Sequence, residues 1–130
     1  MAGLANPVLS LTRDSATKTV RAVATCRILF NRFELSAMEQ GMQFRFRAKL
    51  FGADALTQDD DLYTFTPPKI YPDATPGSIE EASFEETLGE EVLDESVILT
   101  DRIYAKFELT NLSTPQPPLR RNSPEVTGRF

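Results

Sequence analysis

The sequence predicts an all-β chain: an antiparallel β-sandwich of about seven to eight strands with Greek-key connections. Three observations carry that expectation. The stretch MQFRFRAKL alternates strictly, with Met42, Phe44, Phe46, Ala48 and Leu50 on one face and Gln43, Arg45, Arg47 and Lys49 on the other. The stretch RIYAKFEL repeats the pattern with Ile103, Ala105, Phe107 and Leu109 inward. Period-two alternation is the mark of a strand with one buried and one wet face. Between such stretches lie short segments rich in proline and glycine, which punctuate strands and do not continue them.

Taken in order, residues 1–16 mix Leu4, Val8, Leu9 and Leu11 with an Asn-Pro step. They are expected to form an extended N-terminal arm, ahead of a single sandwich domain over residues 17–130. The first long strand is TVRAVATCRILF, in which Val20, Ala22, Ala24, Cys26, Ile28 and Phe30 share one phase. Phe33 and Leu35 fall in the opposite phase, so a bulge or bend is expected near Asn31. SAMEQG, residues 36–41, is a polar connection that fits one helical turn before Gly41. The strand from Met42 follows, then an acidic connection and the short strand LYTFT. TPPKIYPDATPGS holds four prolines and reads as a loop or edge segment. ASFEETL places Ala82, Phe84 and Leu88 on one face with Glu86 interrupting it. LGEEVLDESV is acidic and contains a turn. After the strand around Phe107, STPQPPLRRNSP is a proline-rich extended crossing before a last strand, EVTGRF.

Length and composition bound the function. The chain has 130 residues, 41% of them hydrophobic, enough for one core. A single cysteine, Cys26, excludes an intrachain disulfide framework. It lies in phase with the apolar residues of its strand and is expected to be a buried, inert thiol. There is no histidine, which excludes Ser-His-Asp and Cys-His catalysis and the usual zinc sites. No basic start followed by an apolar run opens the chain, so no Sec signal peptide is expected, and no run is long enough for a membrane helix. The expected location is the cytoplasm, a particle, or an assembly secreted without a leader.

Charge is segmented along the chain. Residues 1–50 hold eight Lys/Arg against three Asp/Glu, residues 51–100 one against thirteen, and residues 101–130 five against three. The strongly acidic middle speaks against nucleic acid as a partner. Its paired carboxylates would serve a glycosidase only in a cleft, and a solvated acidic face is the expected reading. Asp54, Asp59, Asp60 and Asp61 have the oxygen chemistry of a calcium site, which Asp94, Glu95 and Asp101 would complete. The run has no EF-hand spacing, and a polar turn in which aspartates bond their own backbone is the expected state. The basic stripe Arg45, Arg47 and Lys49 is expected to face acidic partners, with Glu81, Glu85 and Glu108 as candidates.

These features point to a non-catalytic binding or structural subunit that acts through protein–protein contacts in a homo-oligomer or larger assembly. It needs no cofactor and binds neither nucleic acid nor membrane. The alternative is a calcium-dependent C2-like module that docks on a lipid or carbohydrate surface, with calcium held by the four aspartates.

Overall fold

The computed structural model describes residues 2–53, 59–93 and 101–128. Their nine strands lie in two antiparallel sheets that face each other across one core. The three-stranded sheet has the order β1 (Gly3–Asp14), β2 (Thr19–Leu29), β6 (Ile79–Gly89). The other is built on β3 (Phe44–Gly52) and β7 (Asp101–Asn111), paired from Phe44↔Asn111 to Gly52↔Ile103. Beside β3 run β4 (Asp60–Thr64) and β5 (Lys69–Tyr71), two pieces of one edge interrupted by Pro67 and Pro68. Beside β7 run β8 (Leu119–Asn122) and β9 (Val126–Gly128), separated by Ser123–Glu125 with Pro124 between. Proline donates no ladder hydrogen bond, so it belongs at such edges.

The chain passes between sheets from β2 to β3, from β5 to β6 and again from β6 to β7, while β6 lies against β2 and β7 against β3. That interlocking is the Greek-key arrangement the sequence predicts. Alternation places the core as expected: Val20, Ala22, Ala24, Cys26, Ile28 and Phe30 are buried, as are Phe44, Phe46, Ala48 and Leu50, and Ile103, Ala105, Phe107 and Leu109. Phe46 bridges the sheets, its ring 5.9 Å from that of Phe84 and stacked 5.7 Å from that of Phe107.

The N-terminal stretch is extended, but it is no arm. Residues 3–14 pair with β2 over nearly its whole length. The register shifts between Ala5 and Val8, where Asn6 adopts φ +49° and Pro7 follows. This bulge reverses the side-chain phase. It is why Leu4 and Leu9, five residues apart, are both buried, and why Val8 is turned outward. Arg121 on β8 fastens the strand from the other sheet by donating to the Leu4 carbonyl at 2.7 Å.

The reversal expected near Asn31 is also not a bulge. It is the start of a helix, α1 (Arg32–Glu39). The Asn31 side chain accepts from the Glu34 amide at 2.8 Å, and the Glu34 carboxylate accepts from the Asn31 amide at 2.9 Å. This reciprocal capping box satisfies amides that the first helical turn leaves open. At the other end Gly41, at φ +108°, donates to Met38, and Met42 donates to Ala37. That is the Schellman closure, and its left-handed residue is a glycine for steric reasons. A second helical turn, α2 (Glu90–Leu93), follows β6.

Candidate functional site

Register sorts the surface into regions of different chemistry. Leu29, Ile79, Gly3, Phe44, Tyr71 and Asn111 all lie at one end of the sandwich, because Leu29 pairs with Gly3 and Ile79, and Phe44 with Tyr71 and Asn111. Helix α1 and the turn after β7 close that end. Among the described residues, six large apolar side chains are exposed, and five of them lie toward this end: Phe33 on α1, Leu29 and Ile79 on the smaller sheet, and Ile70 and Leu112 on or next to strands of the larger. Phe33 is 81% exposed, which for a phenylalanine is far from the usual. It stands between two hollows of about 540 and 520 Å³. The larger is lined by Phe33, Ser36, Ala37, Gln40, Gly41, Met42, Ser113 and Thr114, and none of these carries a charge. The capping box and the Schellman closure hold the helix that presents the ring.

The opposite end carries acid. Asp14, Asp59, Asp61, Glu90 and Glu91 lie where β1 ends, β4 begins and β6 runs into α2. Of the four aspartates proposed as calcium ligands, Asp54 and the side chain of Asp60 lie outside the described residues. Asp59 accepts a hydrogen bond from the Tyr104 hydroxyl at 2.6 Å. Burial and that carboxylate both push the ionisation of Tyr104 well above the usual phenol range. Asp61 lies 3.4 Å from the Lys49 ammonium. Asp94 and Glu95 are outside the described residues, as is the side chain of Asp101. Among the described residues, no group of three or more acidic or cysteine side chains is placed to hold a metal ion.

The outer face of the larger sheet is basic. Arg47 on β3 lies directly across from Glu108 on β7, and Glu108 directly across from Arg120 on β8. Arg47 reaches one carboxylate oxygen at 2.6 Å and Arg120 the other at 2.8 Å. Burial works against ionisation of Glu108, but these two guanidiniums outweigh it and hold its carboxyl below the usual range. One row further on, Lys49 faces Lys106 in direct register. Lys106 rests over the Phe51 ring at 4.6 Å, and Phe51 stacks on Tyr104. Arg47, Lys49, Phe51, Lys106, Glu108 and Arg120 enclose a hollow of about 320 Å³.

Only Glu108, of the three candidates, answers the basic stripe. Glu81 and Glu85 belong to the other sheet, where Glu81 takes Arg27 at 2.6 Å and Glu85 takes Arg21. β3 and β6 face each other across the core, so their charged faces point to opposite sides of the sandwich, which alternation alone does not reveal. Cys26 is 1% exposed. Burial first, against weaker help from the Ala5 carbonyl contact, pushes its thiol up to about 11. In the sequence Phe33 reads as a strand residue and Asn31 as a bulge or bend, although Asn31-Arg-Phe-Glu34 has the spacing of a capping box.

No family model matches the chain, and no curated protein matches it in sequence. Among solved structures, the chain is similar to a crystal structure of a Bordetella pertussis protein provisionally named ApaA, at 8% identity and a TM-score of 0.42, with 100% of this chain and 94% of that one covered. A likeness of that size carries no assignment of function.

Proposed function

We propose that this protein is a non-catalytic β-sandwich subunit that binds a second copy of itself through the apolar end formed by α1 and the turn after β7. The observation that carries this reading is Phe33, an exposed ring on a doubly capped helix with an uncharged hollow beside it. A ridge next to a hollow is self-complementary: a two-fold axis lets each Phe33 enter the hollow of the other copy. An exposed apolar ring beside an uncharged hollow is the kind of feature that marks an interaction surface. Across a two-fold axis the acidic end and the basic face are poor self-contacts, since like would meet like. Such a subunit needs no cofactor and works in the cytoplasm, in a particle, or in an assembly secreted without a leader. Among the described residues no helix is long and apolar enough to cross a membrane.

The test is the mass in solution by light scattering, for the parent chain and for Phe33→Asp. The parent is expected above the 14.5 kDa of one chain, and the variant at one chain with an unchanged circular dichroism spectrum. A parent that stays monomeric at high micromolar concentration, or a variant that associates as the parent does, rejects the proposal.

A further inference from the structure

On the outer face of the larger sheet, one pairing works against stability. Lys49 and Lys106 are direct cross-strand partners. Like charges in that position destabilise a sheet, and natural sheets avoid them. The neighbouring row adds Arg47 and Arg120, which share the single carboxylate of Glu108. The hollow therefore holds four cations around one anion, and Asp61, which does not line it, lies 3.4 Å from Lys49. Among the described residues, Lys106 has no carboxylate within ion-pairing distance, and its ammonium is parked on the Phe51 ring. On the same strand face, the Arg45 Nε–H is buried without a hydrogen-bond partner among the described residues.

Glu108 does not cancel this charge so much as orient it. It fixes both guanidiniums in place, and a guanidinium held by one carboxylate still carries further N–H donors in its fork. The two rows lie about 7 Å apart along the strands, and neighbouring strands about 4.8 Å apart. A single carboxylate bridges two of these cations. A diphosphate, with oxygens on two linked tetrahedra, offers acceptors to the arginine row and the lysine row together. The Phe51 ring is already engaged by Tyr104, stacked at 5.7 Å, and by the Lys106 ammonium at 4.6 Å.

We infer that the hollow between β3, β7 and β8 binds a compact phosphate polyanion of the diphosphate class, held by Arg47, Lys49, Lys106 and Arg120. Bound there, the anion relieves the Lys49–Lys106 repulsion that the free protein carries. The site is separate from the apolar end, so it stands or falls independently of self-association.

The probe is inorganic pyrophosphate, titrated calorimetrically at low salt into the parent, Lys49→Gln, Lys106→Gln and Phe33→Asp. Saturable binding at one site per chain is expected, and it weakens as salt rises. Each lysine substitution is expected to weaken binding by about tenfold or more, since each removes a charge-assisted contact. Without pyrophosphate, the same substitutions are expected to raise the melting temperature by about 1–3 °C, since each removes a like-charge pair. Phe33→Asp should bind pyrophosphate as the parent does. The inference is overturned if sodium chloride of matched ionic strength reproduces the effect of pyrophosphate. It is also overturned if the lysine variants bind pyrophosphate unchanged and melt lower, which would make the lysines merely structural. If the lysine variants lose self-association at low salt and pyrophosphate never binds, the acidic end of another copy covers this face instead.

Discussion

Phe46 has no exposed surface and touches rings from both sheets. Truncating it leaves a void that close-packed neighbours fill only in part, so Phe46→Ala is expected to cost about 3–5 kcal/mol. A urea midpoint equal to the parent's would refute the position given to this ring. Cys26 belongs to the same core. A thiol reagent should label it only after unfolding, and rapid labelling of the folded protein would contradict its burial. Its pH signature has a definite sign. The folded thiol ionises near 11 against an ordinary value of 9.0, so its contribution to stability is complete below pH 9 and lost as pH rises through 11. Cys26→Ala should flatten that alkaline loss. Glu108 has the opposite sign, because its folded carboxyl is held below the ordinary 4.5. Glu108→Gln should destabilise by about 1–3 kcal/mol near neutral pH, the cost of leaving two charged donors underpartnered. Its difference from the parent should shrink as pH falls below 4.5, and a difference that stays constant in acid would show that the carboxylate charge plays no part.

At the scale of elements, β1 and α1 are the informative cases. Leu4 and Leu9 cover the core from an edge strand, so removing residues 1–14 exposes the whole free side of β2. The truncated chain is expected to lose its cooperative thermal transition. A truncated chain that melts like the parent would return this segment to the role of an arm. For α1, Asn31→Ala removes the cap and should cost about 0.5–2 kcal/mol, whereas Asn31→Asp should keep most of the stability. The central strands were legible in sequence because burial on one face imposes a single unbroken phase, as in β3 and β7. β1 was not, since the Asn6–Pro7 bulge puts Leu4 and Leu9 in opposite phases and a broken alternation reads as no strand. Of α1 only the end was legible, as a helical turn before Gly41; its start was not, because Phe33 and Leu35 continue an apparent alternation and eight residues are too few to establish a helical period. β5 was legible only as a loop or edge segment and β8 only as an extended crossing, because both lie in proline-rich stretches, which edge strands tolerate and central strands do not.

For the whole molecule, what matters is which distant residues become neighbours. The apolar end draws on positions 29, 33, 70, 79 and 112, and nothing in the chain's linear order joins them. The lysine pair is similar: both stripes are visible in sequence, but only register sets Lys49 against Lys106. The two surfaces should answer differently to salt. Screening shortens from roughly 10 Å to 3 Å between about 0.1 M and 1 M salt. Association through the apolar end should survive that change, since burial of apolar surface is not screened. Loss of the oligomer across the same range would assign association to the charged faces.

The interlocked strands also set a schedule for synthesis. β2 has β1 at hand early, but its other neighbour, β6, follows some fifty residues later, and β3 waits for β7, which ends at Asn111. The last edge pieces, β8 and β9, finish at Gly128. A nascent chain therefore carries β2 and β3 without these partners until β6 and β7 have been made. No early segment can settle into a lasting fold, and pairings between such distant stretches form slowly. The sandwich closes only once β7 has been made, and until then β2 and β3 each lack a central partner.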